Sequence, residues 1–220
     1  MVNLSVAAAQ GFSLAVLLAA TASAQTPIAA ASDAKPPSEI ASPLRGLLND
    51  RGVRVSVGDA AIDFWWVKAL PAEGLSPFSW SGVAEGTFVG AAKVTGKYQD
   101  IRGRVIRDGV YILRLGIQPQ NGDHLGVSPY REFLLIVPAA NDTDPKPTGH
   151  EGTVELAKVT IKSSHPAIWS LDPPIADAQP LSVVTNESGH QAVIFEIGVT
   201  GGGKAQTVRF GLIVVGKIDA

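Results

Sequence analysis

Gln191-Ala-Val-Ile-Phe-Glu-Ile-Gly-Val-Thr200 and Ala205-Gln-Thr-Val-Arg-Phe-Gly-Leu-Ile-Val-Val-Gly216, joined by Gly201-Gly-Gly-Lys204, decide the fold class. Both runs alternate with period two, the spacing that puts successive side chains on opposite faces of a strand, and the glycine-rich join predicts a four-residue hairpin loop. Pairing Thr200 with Ala205 sets Phe195 opposite Phe210 on one face and Glu196 opposite Arg209 on the other. Like then meets like, and charge meets countercharge. Agreement on both faces selects this register.

Working outward, Leu181 to Thr185 is a further strand, turned back by Asn186-Glu-Ser-Gly189. Upstream, Val110 to Gln118 alternates with Tyr111, Leu113, Leu115 and Ile117 toward the core and Arg114 and Gln118 on the opposite face. Phe133 to Val137 is a continuous apolar run, as a buried strand requires. Arg54 to Val57, Ala61 to Leu70 and Gly86 to Val94 complete the strand set. In the second of these Ile62, Phe64 and Trp66 share one face and Asp63, Trp65 and Val67 the other, the pattern of a central strand. With 23 glycines and 15 prolines punctuating short runs, the chain reads as hairpins. The expected fold is all-β: an antiparallel β-sandwich, either one core or two small packed halves, with at most one short helix near 151–162. That segment is ambiguous, because Val154, Ala157 and Ile161 fit a helical face while Val154/Leu156 and Val159/Ile161 fit a broken strand. The polar stretch Asn141 to Gly149, with two prolines, predicts a boundary between an N-terminal sandwich part, 44–140, and a C-terminal β-meander part, 150–220, packed on it.

The first charged residue is Asp33, and before it Phe12 to Ala20 is apolar and Ala22-Ser-Ala24 has the small-x-small pattern that signal peptidase accepts. Residues 1–24 therefore read as a signal peptide cleaved after Ala24, although the segment before the apolar run carries no Lys or Arg. The apolar part is far shorter than the roughly 20 residues of a bilayer span, so no membrane span is expected after cleavage. Residues 25–43, rich in Ala, Pro and Ser, read as a flexible tether. The expected location is periplasmic or secreted. There is no cysteine, so such a domain holds itself together by its core alone. The net charge of −2 and the absence of a basic run argue against nucleic acid and against docking on anionic lipid.

One loop looks like a site. Between the strands that end near Gln118 and begin near Phe133, Asp123, His124, Ser128, Tyr130 and Arg131 are gathered among Gly122, Gly126 and Pro129. Turn residues fix such a backbone and bring its polar groups together, so these five are the candidate ligand-binding residues. The same residues also suit a purely structural loop, with Asp123 capping a turn and His124 bonded to a carbonyl. As a divalent metal site the loop would use His124 and Asp123 with His165 from a distant segment, since no two histidines are spaced for one strand or helix. No other cofactor is expected. His150 and His190 lie in turn-like polar sequence and are expected to face solvent. Trp65, Trp66, Trp80, Trp169 and Tyr98 suit either sugar-stacking platforms or a core with each indole N–H bonded to a carbonyl. Gly126 to Tyr130 is no nucleophile elbow, because Pro129 obstructs the helix that must follow.

Phe64-Trp-Trp66, Gly109-Val-Tyr-Ile-Leu-Arg114 and Gln118-Pro-x-x-Gly-Asp-His-x-Gly-x-Ser-Pro-Tyr130 together resemble a group of exported bacterial proteins to which no activity is assigned. The resemblance covers roughly the central half of the chain. It implies export and a β fold, and it carries over no catalytic residue. The functional expectation is a non-catalytic periplasmic or secreted β-sandwich module that binds a protein, a glycan or a small ligand. The alternatives are a metal-binding protein or metal-dependent enzyme built on His124 and His165, and a structural partner of an envelope complex.

Overall fold

A computed structural model describes residues 26–118, 128–160, 166–172 and 177–218. Among these residues thirteen strands and two α-helices follow in order: β1 (Ile28–Ser32), α1 (Ser42–Arg45), β2 (Gly52–Val57), β3 (Ala60–Trp66), β4 (Leu70–Pro71), β5 (Phe88–Thr95), β6 (Tyr98–Gln99), β7 (Val105–Ile106), β8 (Gly109–Ile117), β9 (Glu132–Pro138), α2 (Gly149–Thr160), β10 (Ile168–Asp172), β11 (Val183–Thr185), β12 (Gln191–Gly201) and β13 (Lys204–Val215). Eleven of the strands form one sheet in the order β1-β2-β3-β5-β8-β9-β10-β13-β12-β11, with β4 against β12, while β6 and β7 make a small second sheet. The fold is all-β, and apart from the β4–β12 contact every pairing is antiparallel.

The hairpin that opened the sequence reading forms in the expected register: Thr200 pairs with Ala205, Phe195 with Phe210 and Glu196 with Arg209. Its turn is tighter than expected. Gly201 and Lys204 still pair, leaving two loop residues, Gly202 at φ 55° and Gly203 at φ 74°. Two successive positive φ values match the right-handed twist of the flanking strands, and glycine adopts them without a steric cost.

The large sheet curls over on itself. β3 lies face to face with β12, β13 and β10, so Phe64 meets Phe195 at 5.3 Å and Trp169 at 5.0 Å, and Trp66 meets Phe195 at 5.0 Å and Phe210 at 5.1 Å. All four contacts are edge-to-face, the geometry that the ring quadrupole favours. The curl closes where the chain leaving β3 reaches β12: Leu70 pairs with Val199, and the Ala72 amide donates to the Thr200 carbonyl at 2.8 Å. Gly198 permits this approach, since a Cβ there would lie 2.5 Å from the Lys68 carbonyl oxygen. The parts expected at 44–140 and 150–220 share this sheet, because β10 pairs with β9 on one edge and with β13 on the other.

Three expectations need correction. Residues 28–32 are not tether but an edge strand on β2, Ile40 is fully buried, and the Trp65 indole, on the second face of β3, donates to the Ala34 carbonyl at 2.8 Å. Strand pairing uses main-chain groups that an Ala-rich segment offers as well as any other, so composition misled here. Arg114 lies opposite the core face of β8, as alternation requires, yet it is fully buried under residues 142–148. All five guanidinium N–H groups are used there. Nε donates to Asp142 at 2.5 Å, Nη2 to Asp142 at 2.7 Å and to the Asp144 carbonyl, and Nη1 to the Gly86 and Lys146 carbonyls at 2.7 and 2.8 Å. The polar stretch expected as a boundary is thus clamped to the sheet. Finally, His190 is buried, with its Nε2 3.3 Å from the Lys217 carbonyl, rather than facing solvent.

The ambiguous segment is helical over Gly149–Thr160. It packs through Thr153, Leu156 and Ala157, one helical face, while Val154 is exposed instead of covering the core as expected. The Thr153 hydroxyl returns to the Gly149 carbonyl at 2.6 Å and lies 3.0 Å from the Thr148 hydroxyl, which ties down the first turn. A one-turn helix, α1, accompanies it. Among the described residues no helix is long and apolar enough to cross a membrane.

Candidate functional site

A cleft of about 270 Å³ opens where four separate pieces of chain meet: the loop before β5 (Phe78, Ser79, Trp80), the entry to β9 (Tyr130, Arg131, Glu132), the exit of β10 (Leu171, Asp172) and Arg209 on β13. The first piece is held rigidly. The Glu73 amide donates to the Gly82 carbonyl at 2.8 Å, Gln206 on β13 donates to the Leu75 carbonyl at 2.5 Å, and Ser79 caps a short 3-10 turn over Trp80–Gly82. Trp80 packs edge-on against Phe210 at 5.4 Å and against Phe78 at 5.4 Å, yet it and Phe78 are only half-buried. Two aromatic rings are thereby anchored in the core and partly presented to solvent.

The opposite wall is polar. Asp172 is only 4% exposed, and its Oδ1 accepts from the Asn186 amide at 3.2 Å. The Asn186 amide also points toward the Tyr130 hydroxyl at 3.5 Å, while its carbonyl oxygen accepts from the Ser188 and His190 amides at 3.1 and 3.0 Å. Those turn contacts fix which end of the Asn186 amide faces Asp172. Burial, together with the hydrogen bond to Asp172, pushes the Tyr130 hydroxyl above the usual tyrosine range, so it stays protonated and donates. Arg131 lies 3.9 Å from Glu132, and Arg209 donates to Glu196 at 3.3 Å and to the Ala178 carbonyl at 3.1 Å. The four charged residues lining the cleft, Arg131, Arg209, Glu132 and Asp172, balance to zero.

Of the residues expected at the site, Tyr130 and Arg131 line this cleft. Ser128 does not. It is buried, its hydroxyl 2.6 Å from that of Ser170, and with Gln118 it braces the chain: the Gln118 side chain donates to the Ser128 and Tyr130 carbonyls at 2.7 and 2.8 Å. Asp123, His124 and His165 lie outside the described residues, so the metal expectation built on them is not addressed by this geometry. Among the described residues no three His, Cys, Asp or Glu side chains come together as a metal site. His150 is 3.1 Å from both Glu85 carboxylate oxygens, and the His190 Nε2 is 3.3 Å from the Lys217 carbonyl oxygen.

Of the aromatic residues weighed as stacking platforms, Trp65, Trp66, Trp169 and Tyr98 are core. The Trp169 indole donates to the Tyr98 hydroxyl at 2.8 Å, which donates on to the Val214 carbonyl at 3.0 Å. Trp80 alone among the tryptophans keeps an exposed face. Phe78, Asp172, Asn186 and Arg209 were not anticipated as site residues. A signal for the first existed in Phe78-Ser-Trp80, two aromatics in a proline-containing loop with no strand alternation to bury them. No protein-family model, curated protein or solved structure matches the chain.

Proposed function

We propose that the chain is a non-catalytic binding module, exported to the periplasm or beyond, that takes its ligand in the cleft between Trp80 and Tyr130. The observation that carries this reading is a set of half-exposed aromatic rings and fixed polar groups, each locked by its own contacts, on a rigid curled sheet. Sites of this kind bind by pre-organisation, since little side-chain freedom remains to be lost on association. Chemistry would need a nucleophile beside a base, and among the described residues the histidines are bonded to Glu85 and to a main-chain carbonyl instead. Export rests on the apolar leader with Ala22-Ser-Ala24 at its end.

Thermal unfolding of the chain from Gln25 onward tests the binding reading with a panel of four ligand classes, namely oligosaccharides, amino acids, dipeptides and short carboxylic acids. A ligand at about a hundredfold over its Kd adds about 2.7 kcal/mol, or ~5–10 °C in Tm for a chain of this size. At least one class should raise Tm, and the rise should vanish in Trp80→Ala and Asp172→Asn. No rise with any class, or a rise that survives both substitutions, overturns the reading. Amino-terminal sequencing of the protein from the exported fraction should begin at Gln25, and retention of the leader in the cytoplasm would remove the export proposal.

A further inference from the structure

We propose that the ligand of this cleft is a neutral pyranose ring, one unit of an oligosaccharide, stacked on Trp80 and held at its hydroxyl edge by Asp172, Tyr130 and Arg209. The inference rests on the cleft being a binding site and adds the chemical class of what it binds. Charge narrows the class first. Two arginines and two carboxylates line the cleft, and the arginines already hold carboxylate partners, Arg131 with Glu132 and Arg209 with Glu196. An anionic ligand would have to compete with these pairs, and a cationic one with the two guanidinium groups. A neutral ligand meets no such competition.

Shape and polarity narrow it further. A pyranose has an apolar C–H face and a rim of hydroxyls that both donate and accept. The half-exposed rings of Trp80 and Phe78 offer the apolar surface, set by their packing on Phe210 and on each other. Across the cleft stand a nine-tenths buried carboxylate acceptor at Asp172, a protonated phenol at Tyr130 and a planar donor at Arg209. Vicinal hydroxyls match such adjacent acceptors and forked donors, because each can accept from one group and donate to the next. Asn186 holds Asp172 in place, and Glu196 with the Ala178 carbonyl holds Arg209, so the rim is set before the ligand arrives. Size fits one ring. The volume of about 270 Å³ falls just under the ~300–1,000 Å³ of sites that enclose a drug-sized ligand.

Titration of the intrinsic tryptophan emission tests this, since Trp80 is the tryptophan at the cleft. The probes are hexamers of glucose, xylose, mannose and N-acetylglucosamine, with galacturonate hexamer, a dicarboxylic acid and a dipeptide as charged comparators. At least one neutral hexamer should bind, with an affinity unchanged between low and high salt, because nothing ionic is exchanged. Trp80→Ala should weaken it by about tenfold or more, and Trp80→Phe by less, since a ring remains. Asp172→Asn keeps the side-chain shape and should weaken binding at a temperature where far-ultraviolet circular dichroism shows the variant fully folded, which separates lost recognition from lost folding. Failure of every neutral hexamer to bind overturns the proposal. If only charged comparators bind, and do so in a Trp80-dependent and salt-sensitive way, the sugar class is wrong while the cleft stands. Binding of a neutral hexamer that ignores both Trp80 and Asp172 overturns the cleft itself.

Discussion

Replacing Asp142 with alanine removes the anionic partner that a fully buried arginine, Arg114, has among the described residues. Arg114 places Nε and one Nη2 hydrogen on that carboxylate, and its other three hydrogens on the carbonyls of Gly86, Asp144 and Lys146. The substitution therefore leaves two N–H groups and a full positive charge without compensation in a site closed to water. Breaking a buried ion pair by deleting one partner costs about 3–5 kcal/mol, a large share of the roughly 5–15 kcal/mol that holds a domain together. With a urea dependence of about 2 kcal/mol per molar, the unfolding midpoint should fall by ~1.5–2.5 M at constant slope. Removing both partners should not rescue stability here, in contrast to an isolated pair. Arg114→Met with Asp142→Leu would strand three carbonyls, each worth about 1–3 kcal/mol if water stays out. The assay is urea unfolding followed by tryptophan emission and by far-ultraviolet circular dichroism. A midpoint shift under about 0.5 M for Asp142→Ala, or a double variant as stable as the parent, would refute the claim that Arg114 clamps residues 142–148 to the sheet.

Asp100 is buried, its Oδ1 accepts from the Arg102 and Arg104 amides at 3.0 and 2.9 Å, and burial raises its carboxyl above the usual range despite those bonds. The native state then keeps a proton that the unfolded chain releases near pH 4, so stability from this group is present in acid and is lost as pH rises through the raised native value. Asp100→Asn keeps the Oδ1 acceptor but cannot ionise. Its stability relative to the parent should improve as pH climbs from 3.5 toward 7, read by urea midpoints across that range, and a difference that does not vary with pH rejects the burial argument. In the β12–β13 turn, Gly202 sits at φ 55°, where a side chain costs about 1–2 kcal/mol in general and least for asparagine. Gly202→Ala should lower Tm while Gly202→Asn leaves it nearly unchanged, and equal losses in the two variants would contradict the turn assignment.

Much of the fold was legible in the sequence because it is local chemistry. Period two in 191–200 and 205–216 marks strands wherever they end up, and matching Phe195 with Phe210 and Glu196 with Arg209 sufficed for the register, since a slip of one residue turns every side chain to the other face. The burial of Phe133 to Val137 followed from its apolar run in the same way, whereas Trp65, Trp66 and Trp169 suited either platform or core in the sequence and proved to be core, Trp169 on β10, a strand not anticipated. Tyr130 and Arg131 could be singled out because turn residues crowd around them.

Tertiary structure alone decided the rest, for one physical reason: a main-chain carbonyl or amide looks the same in every sequence, so partners made of backbone cannot be read in advance. That is why Arg114, drawn as an ordinary residue on the far face of β8, proved to be the centre of a five-bond clamp, three of whose acceptors are carbonyls. It is also why an Ala-rich tether proved to be strand β1. The cleft belongs to the same class. Phe78, Trp80, Asp172 and Arg209 come from segments far apart in the chain, and they meet only because the sheet curls until the residues after β3 reach β12.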